Sequence, residues 1–259
     1  MRSLFLSLVF LVGCSGPTPA PAPPPPASLS TPAAPARRPV LLVPVPDKAA
    51  EGSTRYEADW SFDIRAEDHF SVHVHVIPPG QMVPLHRHPK NWELTFVAAG
   101  EAQWTSVAEI DGELRVRDDV LTVGSAAIAP IGAAHEVRNR SDSILAAVVV
   151  HQPEFGQNWY LPRDEVTSPL QSLPFTQPVA DGVPAGWAVS WEALGEHDRD
   201  RDHVVLVSSG TGTLAFEDKR LPLSVGHVAS VPGGLHHTIE GSSDFRALSL
   251  LIPPNAGNP

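Results

Sequence analysis

Three histidines and a glutamate in the first half of the chain have the types and spacings of a metal site. His86 and His88 stand two apart in Val83-Pro84-Leu85-His86-Arg87-His88. On an extended segment that spacing sends both imidazoles off the same face. Pro89, Lys90 and Asn91 turn the chain, and Glu93 then opens an apolar run, Leu94 to Ala98, from which it can face the histidines. Farther on, Pro130 and Gly132 make a tight turn and His135 opens the strand after it. Three imidazoles and one carboxylate suit one divalent transition metal; Mn, Fe, Ni, Cu and Zn all accept such a set. An octahedral ion held this way keeps two positions open, as substrate or oxygen chemistry requires. Thr95 and Val97 alternate in phase with Glu93 and are expected to line the cavity with it. Trp92 and Phe96 fall in the opposite phase and are expected in the core.

The elements that must position these residues read as strands. From Tyr56 onward, short runs rich in Val, Ile, Trp and Phe alternate with turn residues: Phe70 to Ile77, Leu94 to Ala98, Glu113 to Val116, Ala126 to Ala129 and Ile144 to Val150. Asp111-Gly112 reads as a hairpin turn between two of them. The second half repeats the texture at Trp187 to Trp191, Val204 to Val207, Thr213 to Phe216, His227 to Val231 and Phe245 to Ile252. Long helical periodicity is absent. Between the halves, Pro162, Pro169, Pro174 and Pro178 break the pattern. The expectation is an all-β chain of two barrels joined by an irregular linker.

At these residues the sequence resembles the cupin superfamily. The first motif of that family is met by Gly80, His86, His88, Glu93 and Gly100, and the second by Gly124, Pro130, Gly132, His135 and Asn139. The resemblance implies tandem double-stranded β-helix, or jelly-roll, barrels. It also implies that His86, His88, Glu93 and His135 are the metal ligands. Relatives of this type include dioxygenases, small-acid decarboxylases and isomerases. A metal-dependent enzyme on a small polar molecule is therefore the leading expectation, with a non-catalytic binding protein as the alternative. No acid, base or substrate clamp outside the ligands is assigned.

The second half copies the motif incompletely. Gly226, Pro232, Gly234 and His237 repeat the second motif, with Gly241 in place of Asn, and Gly210 puts His203 where Glu belongs. The His-x-His is missing. Its positions hold Glu196 and Asp198 or, with a gap one residue shorter, His197 and Arg199. A solvated charged loop is the simpler expectation for Gly195 to His203. A second metal site at His197, His203 and His237 is the sharper one. His73 and His75 share one strand face that points either into the barrel mouth or out to water, the latter being the simpler expectation, and Arg138 is expected to sit on an outer face rather than bind a carboxylate.

The chain begins with a targeting pattern. Arg2 precedes an apolar run, Leu4 to Val12, that falls short of the roughly 20 residues needed to span a bilayer. Leu11-Val12-Gly13-Cys14 resembles a bacterial lipoprotein processing site, which implies lipidation at Cys14, with Ser15 suggesting the outer membrane. Cys14 is the single cysteine, so no intrachain disulfide forms. The Pro-rich stretch that follows favours extended polyproline II and reads as a tether. Within it Val40 to Val45 is either a first strand, at an edge, or the sticky end of the tether. The expected division is a signal segment over 1–14, a tether over 15–54, a metal-bearing barrel over 55–152, a linker over 153–183 and a degenerate barrel over 184–255. The net charge is 18 − 29 = −11 with no basic stripe, which argues against nucleic acid and against an anionic lipid surface as the main partner and leaves the lipid anchor as the expected membrane contact. Ser/His/Asp constellations, phosphate loops and zinc-finger spacings are absent from the sequence.

Overall fold

Alternation of apolar residues writes two different faces onto each long strand, and along Phe70–Ile77, Trp92–Ala99 and Leu145–Gln152 both faces are buried. A computed structural model describes residues 38–52, 60–110, 113–153, 159–160, 173–175, 183–191, 193–197 and 200–254. Strand β1 (Leu41–Pro44) and a short helix α1 (Val45–Gly52) come first. The first barrel follows as β2 (Trp60–Glu67), β3 (Phe70–Ile77), β4 (Met82–Arg87), β5 (Trp92–Ala99), β6 (Glu101–Ile110), β7 (Glu113–Thr122), β8 (Ala126–Ala129), β9 (His135–Asn139) and β10 (Leu145–Gln152), with short strands β11 (Trp159–Tyr160) and β12 (Leu173–Phe175). The second barrel is β13 (Ala188–Ser190), β14 (Gly195–His197), β15 (Asp202–Ser209), β16 (Thr211–Phe216), β17 (Lys219–Ser224), β18 (His227–Val231), β19 (His237–Gly241) and β20 (Arg246–Ile252).

Each barrel is a pair of antiparallel sheets. The first pairs the order β12-β8-β5-β10-β3-β2 with β11-β4-β9-β6-β7; the second pairs β1-β18-β15-β20-β13 with β14-β19-β16-β17. One sheet of each barrel also packs against the other barrel. Val72, Val74, Leu94, Phe96, Val148 and Val150 of the first share a core with Val204, Leu206, Val228, Leu248 and Leu250 of the second. The intervening residues on the same strands fill each barrel's own interior: Ile77, Val97 and Leu145 with Trp104 and Val137 in the first, Val205, Val207 and Ala247 with Leu214 and Ile239 in the second. The period of two along a strand thus decides between barrel interior and barrel–barrel interface.

Two boundaries of the sequence reading are corrected. The tether was expected to run through residue 54, yet β1 pairs with β18 as an edge strand of the second barrel, and Val45 and Ala49 of α1 are buried in the shared core. Apolar side chains at the end of a Pro-rich stretch find a sheet edge to complete, and Pro44 is tolerated because it lies at that edge. The expected linker over 153–183 is partly strand: β11 pairs with β4 and β12 with β8, both at edges of the first barrel. The Asp111-Gly112 turn lies outside the described residues, although β6 and β7 pair up to Ile110 opposite Glu113.

Polar contacts also cross the interface. Arg65 on β2 donates through Nε to Ser230 Oγ at 2.6 Å, and Arg38 bridges Glu67 of the first barrel to Asp202 of the second. Gly124 and Gly226 occupy matching turns with φ of +84° and +77°. A side chain at Gly226 would meet Ala98 O at 2.7 Å, and one at Gly124 the Ser208 side chain at 2.8 Å. Each turn therefore needs glycine for its backbone and for the approach of the other barrel.

Candidate metal centre

Strand pairing brings the four sequence-predicted residues together. β4 and β9 run antiparallel with His86 directly opposite His135. On β5, Glu93 stands between Ala129 of β8 and His151 of β10. His88 follows the end of β4 and is buried. One ligand atom from each of His86, His88, Glu93 and His135 lies within 4.8 Å of the others, and all four residues are buried.

The ring nitrogens are oriented for such a role. His86 Nδ1–H donates to Pro84 O at 2.7 Å and His135 Nδ1–H to Ala133 O at 3.3 Å. A carbonyl only accepts, so each ring keeps its lone pair on Nε2. His135 Nε2 is buried without a well-aligned hydrogen bond, although Glu93 Oε2 lies 3.3 Å away. Trp104 stacks on the His135 ring, 4.9 Å between centroids and 12° from parallel, and fixes its plane. Glu93 Oε1 accepts from Thr95 Oγ1 at 2.6 Å, while Oε2 faces His88 Nε2 at 2.6 Å and His151 Nε2 at 3.1 Å.

Electrostatics agree with this geometry. Burial alone raises a carboxyl pKa, but the pull of His135 and the hydrogen bonds of His151 and His88 outweigh it and hold Glu93 well below its usual range. Burial, and then His135, pushes His86 down to about 3. An ionised carboxylate beside imidazoles whose lone pairs converge is a donor set that fits a divalent transition metal.

Around this set lies a cavity lined by Ile77, Val83, Val137, Ala147 and Val149, with His75, Thr95 and His151 as further polar groups. Thr95 lines it as expected; Val97 belongs to the packed barrel interior beyond. His73 and His75 correct their sequence reading. His73 is buried and His75 lines the cavity, because the Val face of β3 is taken by the second barrel and only the interior remains for the histidines. His73 Nε2 and His75 Nε2 are 3.2 Å apart, and His73 stacks on His151 with 5.0 Å between centroids. Burial, then His75 and His151, pushes His73 down to about 2. His151 was missed in the sequence; its signal was the phase of β10, where Ala147, Val149 and His151 share the inward face. Arg138 does not line the cavity and contacts Glu136 on its own strand at 3.3 Å.

In the second barrel, one nitrogen each of His197, His203 and His237 lies within 4.8 Å of the others. The register with the shorter gap is the one adopted, so His197 sits opposite His237 as His86 sits opposite His135. The solvated-loop expectation therefore fails at His197, while Glu196 beside it is exposed. Burial, ahead of the neighbouring His197, pushes His203 well down; burial also lowers His237. Cys14, Asp198 and Arg199 lie outside the described residues.

Residues 73–151 match the family model described as a cupin domain. Among solved structures, the chain is similar to a salicylate 1,2-dioxygenase from Pseudaminobacter salicylatoxidans, at 14% identity over 80% of this chain and 81% of that one, TM-score 0.55. It is also similar to protein Ylba from E. coli, at 11% identity over 78% and 86%, TM-score 0.53. A cupin 2 conserved barrel domain protein from Leptotrichia buccalis aligns at 12% identity over 76% and 89%, TM-score 0.52. At such identities the likeness concerns the fold. No curated protein matches the sequence.

Proposed function

Because the chain carries a cupin domain over residues 73–151, we propose that its first barrel is a metal-dependent enzyme acting on a small molecule with an oxygen-bearing end and an apolar body. One observation carries this: the buried His86, His88, Glu93 and His135 set opens onto a cavity whose remaining wall is mostly aliphatic. When bound, the metal supplies Lewis acidity and open coordination positions. The chain supplies the rest. Ile77, Val83, Val137 and Val149 make the wall apolar and exclude water, and His75 and Thr95 offer hydrogen-bonding groups there; the cavity, about 20 Å³, must widen to admit a substrate. His151 and Thr95 hold the Glu93 carboxylate from opposite oxygens.

Among the described residues, the lining contains neither Lys nor Arg. A diacid would leave its second carboxylate against aliphatic side chains without a partner. Among the reaction types expected from the sequence, oxygen-dependent cleavage and isomerisation therefore fit better than decarboxylation of a small diacid. The test is metal analysis of the purified protein, followed by an oxygen-electrode and turnover screen with enols, phenols and short keto acids. Turnover that chelation abolishes and His135→Ala eliminates supports the enzyme. Tight ligand binding without any turnover supports instead the non-catalytic capture protein.

The proposal extends to location: a lipoprotein of the bacterial envelope, anchored at Cys14 and tethered to the outer membrane. Its support is the leader pattern and the Pro-rich stretch after it. Among the described residues, no helix is long and apolar enough to cross a membrane. Cys14→Ser is expected to move the protein from the membrane fraction to the soluble one; retention in the membrane fraction would count against the anchor.

A further inference from the structure

Outside the first barrel, the second collects three histidines whose sequence context is an incomplete copy of the motif. We propose that His197, His203 and His237 bind a second divalent ion, of the zinc or copper class, independently of the first centre. His197 comes from β14, His203 from β15 and His237 from β19, and one nitrogen of each lies within 4.8 Å of the other two. His203 and His237 are fully buried.

Each ring is held from outside by its other nitrogen. His237 Nδ1–H donates to Leu235 O at 3.1 Å, and His197 Nε2–H donates to Ala193 O at 2.7 Å. Those carbonyls can only accept, so the lone pairs sit on His237 Nε2 and His197 Nδ1. His203 places Nε2 at 2.7 Å from Ser249 Oγ, a partner able to accept its N–H, and directs Nδ1 toward His237 Nε2 at 2.7 Å. Without an ion, His203 Nδ1–H donates to His237 Nε2; a bound ion would replace that proton, with His203 Nε2–H then donating to the serine and the third lone pair joining the other two. Outer partners that fix tautomer and ring plane are what a metal-binding histidine requires. Position agrees with this: His197 opposite His237 repeats the His86–His135 pairing of the first barrel.

The chemistry differs from the first centre. Three neutral imidazoles and no carboxylate favour zinc or copper over the oxygen-seeking manganese and magnesium. They leave the ion's charge uncompensated and a fourth position for water or an anion. The ion would tie β15 of one sheet to β14 and β19 of the other, and β14 is an edge strand of three residues.

The experiment is zinc titration of the metal-stripped full chain by equilibrium dialysis, with cobalt(II) absorption as the spectroscopic readout. The wild type is expected to bind two equivalents. The double variant His86→Gln/His135→Gln, which disables the first centre, is expected to keep one. Adding His197→Ala to that background is expected to weaken the remaining zinc at least tenfold and change the cobalt spectrum. His237→Gln, which nearly preserves volume, gives a second reading should His197→Ala fail to fold. The proposal is overturned if the double variant folds, as judged by circular dichroism, and binds no zinc. It is equally overturned if His197→Ala or His237→Gln, folded, leaves zinc affinity and the cobalt spectrum unchanged.

Discussion

Glu93→Gln keeps the volume of the side chain and removes the charge that His88, His135 and His151 face. It is expected to weaken metal binding at the first centre by roughly 10–100-fold or more, measured by competition with a chromophoric chelator. His151→Phe tests the neighbour that supports this carboxylate. Loss of its hydrogen bond is expected to lower metal affinity by roughly 10–100-fold while the fold persists. An affinity equal to wild type would show that Thr95 alone suffices to hold Glu93. Trp104→Ala removes a fully buried ring that stacks on His135 and is expected to cost about 3–5 kcal/mol in urea unfolding.

The turn glycines act between elements. Gly226 precedes β18, yet an added side chain there would meet Ala98 O at the end of β5 in the other barrel, 2.7 Å away. Gly226→Ala combines that contact with a positive φ and is expected to cost about 1–3 kcal/mol. Because the clash lies at the interface, metal affinity of the first barrel should move with the stability of the second. Unchanged stability on urea unfolding would mean that the turn yields freely. Edge strand β1 is expected to matter in the same way: deleting residues 38–44 exposes β18 and lowers the stability of the second barrel.

For the whole molecule, the shared core implies joint unfolding. Buried valines and leucines from both barrels pack in one cluster, so neither barrel keeps its outer sheet covered when the other melts. Calorimetry of the metal-free protein is expected to show one transition; two well-separated transitions would contradict the shared core. The histidines set the pH dependence. His73 titrates at about 2 when folded and near 6.5 when unfolded, so below pH 6.5 the unfolded chain takes up a proton that the native state refuses. Stability is complete above that pH and falls as pH drops toward 2, by about 1.4 kcal/mol per pH unit for a histidine kept neutral. The lowered pKa values of His151, His203 and His237 act in the same direction. Urea midpoints of the metal-free protein should hold from pH 7.5 to about 6.5 and then decrease toward pH 5, and a flat profile across the whole range would show that these rings are charged in the native state.

Sequence alone determined what depends on short-range spacing. A two-residue step between His86 and His88, a turn before Glu93 and another before His135 specify which residues share a strand face, and the structure brings that set of four together. Alternation likewise sorted Glu93, Thr95 and Val97 from Trp92 and Phe96 on β5. Tertiary structure decided everything that depends on which face meets which neighbour. His73, His75 and His151 read as ordinary strand residues until the second barrel covers the opposite face and leaves them the interior. His197 was one of two registers until β14 paired with β19. The short strand at Leu41 belongs to the more distant barrel in sequence, because the open edge that satisfies its backbone is on β18. Local spacing fixes the direction of a side chain relative to its own strand; only packing fixes whether that direction is solvent, core or site.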